Sequence, residues 1–265
     1  MNMYLHELKA YRKSTIIWTL SLIAIVVLFM SLFPAFSRDA EDFMKVLEGF
    51  PEEFKKAIGL SFDTLATILG YFSYAFLYIK LCGAIQAMNL GLSIFSKESR
   101  DKTAEFLFTK PVTRTQVMTA KLLACFTSLI LTNLAFILAV FGTVSMVKTE
   151  EYSGQALLMI SGSLLFLQLF FLGLGVFLAV LLPKVKSVIT ISLGTVFAFF
   201  MMGMISSSTD DEALRYFSPF NYVNDYYIIE HLRFESSFLL VGAVIIMMSV
   251  LTSFLVYRKK DIHSI

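Results

Sequence analysis

Residues Glu98 to Lys121 read E-S-R-D-K-T-A-E-F-L-F-T-K-P-V-T-R-T-Q-V-M-T-A-K, a polar and basic island set between two long apolar runs. The chain around it is 57% hydrophobic and only 16% charged, with mean hydropathy +0.74. An ordinary soluble domain carries about a quarter charged residues. The deficit, together with the long apolar runs, places all 265 residues in the membrane class as a single domain spanning 1–265. Against that background the island is the exceptional stretch, because it cannot lie in hydrocarbon.

A membrane-crossing helix needs about 20 apolar residues at roughly 1.5 Å per residue. Six runs qualify: Thr15–Phe33, Thr64–Phe95, Val117–Val147, Gln155–Leu182, Val188–Ile205 and Phe238–Tyr257. The expected fold is therefore an all-α integral membrane protein of six transmembrane helices. Continuous apolar runs, rather than short alternating segments, argue against a β-barrel. The second and third runs are long enough to project past the bilayer, which sets the island on extended helix ends. Lys and Arg distribute unevenly between the two sides. The side with both termini, the island and the Leu182 turn holds 14 basic residues against five acids, and the other side seven against 15. The excess of positive charge predicts that both termini and the island face the cytoplasm of a multi-pass cell-membrane protein.

The smaller features fit this plan. Tyr4, Leu5, Leu8 and Tyr11 face away from His6, Lys9, Arg12 and Lys13 at helical spacing, which predicts an N-terminal interfacial helix before the first span. The run after it is too long for the core of a cleaved signal peptide. Asp39–Gly59 carries Phe43, Val46, Leu47, Phe50, Phe54 and Ile58 at three-to-four-residue spacing, the pattern of two short amphipathic helices broken at Pro51. Leu214–Glu230 is dense in aromatics and is expected to form an interfacial belt or to dip into the membrane, with Pro219 barring one continuous helix. Cys82 and Cys125 lie in apolar runs and make neither a disulfide framework nor a zinc pattern, and the three histidines do not cluster.

Lys80, well inside the second span, costs about 2.5–3.5 kcal/mol to bury at mid-bilayer and must face protein or a wet cavity. Gln86 and Asn89 follow it on the same helix. These three are candidates for a translocation path. The structural alternative has Lys80 snorkelling or pairing with a neighbouring span, close to Tyr74 and Tyr78. Asn133 and Gln168 are expected to hydrogen-bond between helices, and Gly173 and Gly175 to mark close helix packing.

Catalytic machinery is missing from the sequence. There is no G-x-x-x-x-G-K-[ST] phosphate loop, no H-E-x-x-H helix and no G-x-S-x-G turn. Glu98 and Glu105 lie among basic residues, as on a solvated, salt-bridged helix face. An intramembrane enzyme would need facing ionisable residues at depth, and Lys80 alone lies within a span.

The island, with Glu98, Thr103, Glu105, Leu107, Pro111-Val112-Thr113-Arg114 and Lys121-Leu122, resembles the cytoplasmic loop of ABC-2-type transporter permeases. The chain departs from that pattern at Asp101-Lys102 and at Ala120, where the family favours Gly. Phe50–Gly59, Phe217–Tyr222 and the closing Tyr257–Ile262 are similar to the same family, so the resemblance extends over nearly the whole chain. It implies a permease subunit, mostly of exporters, working with a second permease, identical or homologous, and with two copies of an ABC ATP-binding subunit. ATP and Mg would sit on that partner, and this chain would bind no cofactor, no metal and no nucleic acid; its other partner is membrane lipid. A coupling helix between spans 2 and 3 would then carry Glu98, Thr103, Glu105, Phe106, Leu107, Phe108, Pro111 and Arg114 to the ATPase, the three apolar residues anchoring within a charged rim. The alternative is a membrane anchor or sensor that recruits an ATPase without transporting a solute.

Overall fold

A computed structural model describes residues 3–38, 49, 51, 65–100, 112–148, 151–182, 184–209 and 212–259. Among these the chain is helical and contains no strand. The helices are α1 (Met3–Arg38), α2 (Ile68–Arg100), α3 (Arg114–Val147), α4 (Gly154–Leu181) and α5 (Val188–Ser208), then α6 (Glu212–Arg215), a 3-10 turn (Pro219–Asn221), α7 (Asp225–His231) and α8 (Ser236–Lys259). The six long ones, α1 to α5 and α8, are long and apolar enough to cross a membrane. Each expected run corresponds to one of them, with α2 starting at Ile68 rather than Thr64 and α4 ending at Leu181 rather than Leu182. At 33 and 34 residues, α2 and α3 extend to about 50 Å, well past the ~30 Å hydrocarbon core.

The N-terminal segment expected as a separate interfacial helix is instead the opening of α1, which runs unbroken from Met3. Nothing between Met3 and Phe33 breaks a helix, neither Pro nor Gly, so the change from polar to apolar residues does not interrupt the hydrogen bonding. Yet Tyr4 and Thr19, fifteen residues apart on α1, bond through their hydroxyls to Thr127 and Thr132, only five residues apart on α3. At ~1.5 Å per residue these spacings differ by about 15 Å. The first turns of α1 therefore lean across α3 rather than running beside it.

Several helix starts follow from a hydroxyl or amide at the N-cap. Ser153 accepts from the Ala156 amide at the start of α4, and Ser187 from Thr190 at the start of α5. Asn224 accepts from the amides of Tyr226 and Tyr227 at the start of α7.

The centre of the bundle is the crossing of α2 and α4, the two most enclosed spans. A Cβ on Gly91 would stand 2.8 Å from the Leu172 carbonyl oxygen, and one on Gly175 would stand 2.7 Å from that of Met88. Both obstacles are backbone, so only glycine permits this approach. Gly173 is different from the expectation: a Cβ there would meet Ser249 of α8 at 3.5 Å, an ordinary contact. Around the crossing, α1 packs on α2 and α3, while α5 and α8 close the other side and leave broad apolar faces exposed.

The aromatic connection between α5 and α8 dips inward. Ser218 Oγ donates to the Phe199 carbonyl at 2.8 Å, and Asn221 Nδ2 donates to that of Gly203 at 2.9 Å. Phe199 lies nine residues before the end of α5, about 14 Å along its axis. The Phe220 ring packs on Phe171 and Phe200 with centroids 5.5 and 5.4 Å away. As expected, Pro219 stops a continuous helix; it opens the 3-10 turn instead. Non-helical backbone at such depth is tolerated only when protein satisfies it: here the amides of Ser218, Asn221 and Tyr222 donate to carbonyls within the segment, and the Arg215 and Tyr222 side chains donate to the carbonyls of Asn221 and Tyr216. Arg215 closes the base of this re-entrant segment with a two-pronged bond to Glu235, at 2.6 and 3.1 Å, and stacks over Phe238.

Candidate functional site

Two groups of charged and polar side chains stand out, one at each end of the bundle. At the end that carries the termini, the helices flanking the island are clamped together. Lys121 of α3 is fully buried, donates to the Ile94 carbonyl at 2.8 Å and pairs with Glu98 of α2. Its ammonium also lies 5.5 Å from the Phe95 ring centroid. One residue back on α2, Lys97 stands 3.7 Å from Glu7 of α1, a buried carboxylate. An α2 turn thus holds α1 with one charge and α3 with the next.

The far side of the island is fixed differently. Thr113 is the N-cap of α3: its hydroxyl accepts from the Gln116 amide, and the Gln116 side chain accepts from the Thr113 amide. This is a capping box, and it gives the Thr of Pro111-Val112-Thr113-Arg114 a physical role. Arg114 then donates to the carbonyls of Tyr257 and Arg258, both at 3.3 Å, so the start of α3 neutralises the orphan carbonyls that end α8. Thr103, Glu105, Phe106, Leu107, Phe108 and Pro111 lie outside the described residues, as do most of Asp39–Gly59 and the closing Lys260, Asp261 and Ile262. Of the candidate coupling residues, the described pair Glu98 and Arg114 stand on either side of 101–111, and each bonds to another span.

Toward the other end, Lys80 is 6% exposed and forms an ion pair of 2.7 Å with Asp225, which is 8% exposed at the start of α7. The Lys80 ammonium also approaches the Val223 carbonyl at 3.5 Å and the Phe76 ring at 5.2 Å. Tyr74 and Tyr78, the expected neighbours, bond to each other instead. The counter-ion therefore comes from the re-entrant segment rather than from a span. Sequence reasoning missed Asp225, 145 residues away. The available signal was chemical: a cation inside a span calls for an acid, and Asp225 stands in an otherwise aromatic stretch.

Gln86 faces the bundle interior in a polar chain that crosses four helices. Thr19 of α1 shares a hydrogen bond with Thr132 of α3, which accepts from Gln86 Nε2 at 3.1 Å. Gln86 Oε1 accepts from Gln168 of α4 at 3.1 Å, and Gln168 Oε1 accepts from Asn133 of α3. Asn133 and Gln168 thus bridge helices, as their residue types suggest. Asn89, half-buried, accepts from Ser93 one turn along α2. Of the three candidate path residues, Lys80 and Gln86 are engaged by other helices, and Asn89 is not joined to them by any described bond.

Among the described residues no cluster of His, Cys, Asp and Glu is arranged to hold a metal ion. Six apolar helices with buried polar links between spans make a polytopic membrane bundle. The chain belongs to the family described as multidrug efflux system permease Rv1217c, C-terminal domain, whose match extends over residues 7–258. No curated protein matches it. It is accordingly a permease, a multi-pass membrane component of a transporter.

Proposed function

We propose that this chain is the ABC-2-type permease subunit of an exporter, driven at its cytoplasmic face by a separate ATP-binding subunit and paired with a second permease. The observation that supports this most is the clamping of the helices on either side of 101–111. Glu98 binds Lys121, Lys97 faces Glu7, and Arg114 holds the end of α8. A push on the island is thereby shared among α1, α2, α3 and α8 instead of being dissipated in one helix end. A lever of this kind suits a chain that carries no nucleotide-binding loop of its own. In this reading the termini are cytoplasmic, as the excess of basic residues on that side favours.

The opposite end then acts as the outer gate. The re-entrant segment is joined to α5 by Ser218 and Asn221 and to α2 by the Lys80–Asp225 pair. Release of cargo requires α2 and α5 to move relative to each other there, with Lys80 exchanging its counter-ion. The direct test is to reconstitute the chain with its ATP-binding partner and compare stimulated ATP turnover with that of a Phe106→Asp/Leu107→Asp variant. The reading expects stimulation to be lost while insertion is retained. Unchanged turnover would overturn the coupling role. ATP turnover without movement of any solute into vesicles would favour an anchor.

A further inference from the structure

A groove of about 730 Å³ opens between the first turns of α1 and the middle of α3, within the size range of small-molecule sites. Its walls include Leu5, Ile16, Leu20 and Leu131, each more than half exposed, so an apolar surface faces outward from the bundle. Three hydroxyls also line it, but none has a proton free to donate to an anionic or carbonyl guest. Thr15 donates to the Tyr11 carbonyl, Ser128 to that of Ala124, and Thr19 to that of Thr15 while also sharing a bond with Thr132. The lining therefore behaves as hydrocarbon over most of its length.

At one level this changes. Lys9 and Arg12, one turn apart on α1, enter the lining with exposed side chains and have no ion-pair partner among the described residues. No acid lines the groove; Glu7 is turned to the interior, toward Lys97. The inclination of the first turns across α3 produces this shape, with two cations at the bend and an apolar trough beneath them. Ile16 and Leu20 follow Arg12 at intervals of one turn on the same face, so the trough continues along α1 from the charges into the membrane.

We propose that this groove binds an anionic phospholipid, with its phosphate on Lys9 and Arg12 and one acyl chain along Ile16, Leu20 and Leu131. Charge complementarity selects this occupant: a basic pocket between spans at headgroup level suits an anionic headgroup, and the apolar run below it suits a chain. A lipid seated there wedges the angle between the start of α1 and α3, and so sets the position of Glu7 against α2. The inference requires only that the chain sits in a bilayer, and it is independent of the ATPase.

Trp18, the single tryptophan, packs against the core and is not in the groove wall, so the reporter is Leu131→Trp in a Trp18→Phe background, which places the fluorophore on that wall. The full chain carrying this reporter is reconstituted in phosphatidylcholine bilayers containing a small fraction of either dibrominated phosphatidylglycerol or dibrominated phosphatidylcholine, and quenching of its fluorescence is titrated. Two cations are worth up to about 30-fold in preference, so the anionic lipid should quench half-maximally at roughly 5- to 30-fold lower mole fraction. Lys9→Gln/Arg12→Gln should bring the two lipids together. Lys13→Gln, which removes a neighbouring charge outside the groove, should leave the preference intact. Equal quenching by both lipids in the reporter chain with Lys9 and Arg12 intact overturns the proposal, because the groove then holds bulk lipid alone. A preference that survives the double substitution, or that Lys13→Gln abolishes equally, overturns it as well. So does disulfide capture of a second copy through Leu131→Cys in the bilayer, which would make the groove a subunit contact.

Discussion

Neutralising one member of the Lys80–Asp225 pair should destabilise the protein far more than neutralising both. The two side chains are 8% and 9% exposed with a 2.7 Å contact, and the second carboxylate oxygen of Asp225 takes no hydrogen bond among the described residues. Each ion is thus largely stripped of water and depends on the other. Removing one partner from such a buried pair costs about 3–5 kcal/mol, whereas replacing both by apolar groups of similar size is often neutral. In a chain of this length 1 kcal/mol moves a melting midpoint by about 2–4 °C, so each single change should lower it by at least about 6 °C. The assay is a double-mutant cycle on Lys80→Met, Asp225→Leu and the double variant, followed by thermal unfolding in detergent. The double variant should recover to within about 3 °C of the parent, giving a coupling energy of about 3 kcal/mol or more. Additive losses would refute the reasoning, since they would mean that the two charges do not meet in the folded protein. Under the proposed gating, the same double variant, with the α2 link to the re-entrant segment made uncharged, should leak or turn over faster than the parent.

Gly175→Ala should cost about 1–3 kcal/mol by pushing α2 off α4 at the Met88 carbonyl. Gly142→Ala, with nothing within 4 Å, should be neutral or stabilising in the same melts. Thr113→Ala removes the cap of α3 and should cost about 1 kcal/mol, seen as faster hydrogen exchange confined to the amides of the first turn. Gln168→Leu breaks the polar chain at its centre, leaving Gln86 Oε1 without its donor; the expected loss is about 0.6–1.7 kcal/mol in detergent unfolding. Lys121→Met should sever the α2–α3 clamp, and under the proposed coupling it abolishes stimulated ATP turnover while the chain still inserts.

The spans could be read from the sequence because each is a continuous apolar run, and hydrophobicity over about 20 residues needs no knowledge of neighbours. Asn133 and Gln168 could be read for a similar reason: an amide inside hydrocarbon has to find a partner, whichever one it is. What stayed hidden depended on distant pieces of chain. The exposed Lys9, Arg12 and Lys13 mark a membrane boundary but say nothing of whether the helix breaks there, and α1 does not break. Asp225 offered no local pattern linking it to Lys80, because that pairing is made by the dip of the re-entrant segment. Gly173 and Gly175 are equivalent in sequence, and only the crossing of α2 and α4 separates the obligatory glycine from the tolerated one. At the island, the T-R-T-Q capping box was present in the sequence and marks the start of α3. The grip of Arg114 on α8 was not visible, since it joins opposite ends of the domain.

The distance in sequence between Lys80 and Asp225 also bears on how the protein is made. At about 5–20 residues per second, the ribosome supplies the carboxylate roughly 7 to 30 s after the ammonium, 145 positions earlier. During that interval α2 holds a cation in the bilayer with no acid to meet it, and water or an insertion factor has to shelter it. The second span therefore settles into its final place only once Asp225, near the end of the 265-residue polypeptide, has emerged, and a chain truncated just before Asp225 should be cleared by quality control even though five of its spans are complete.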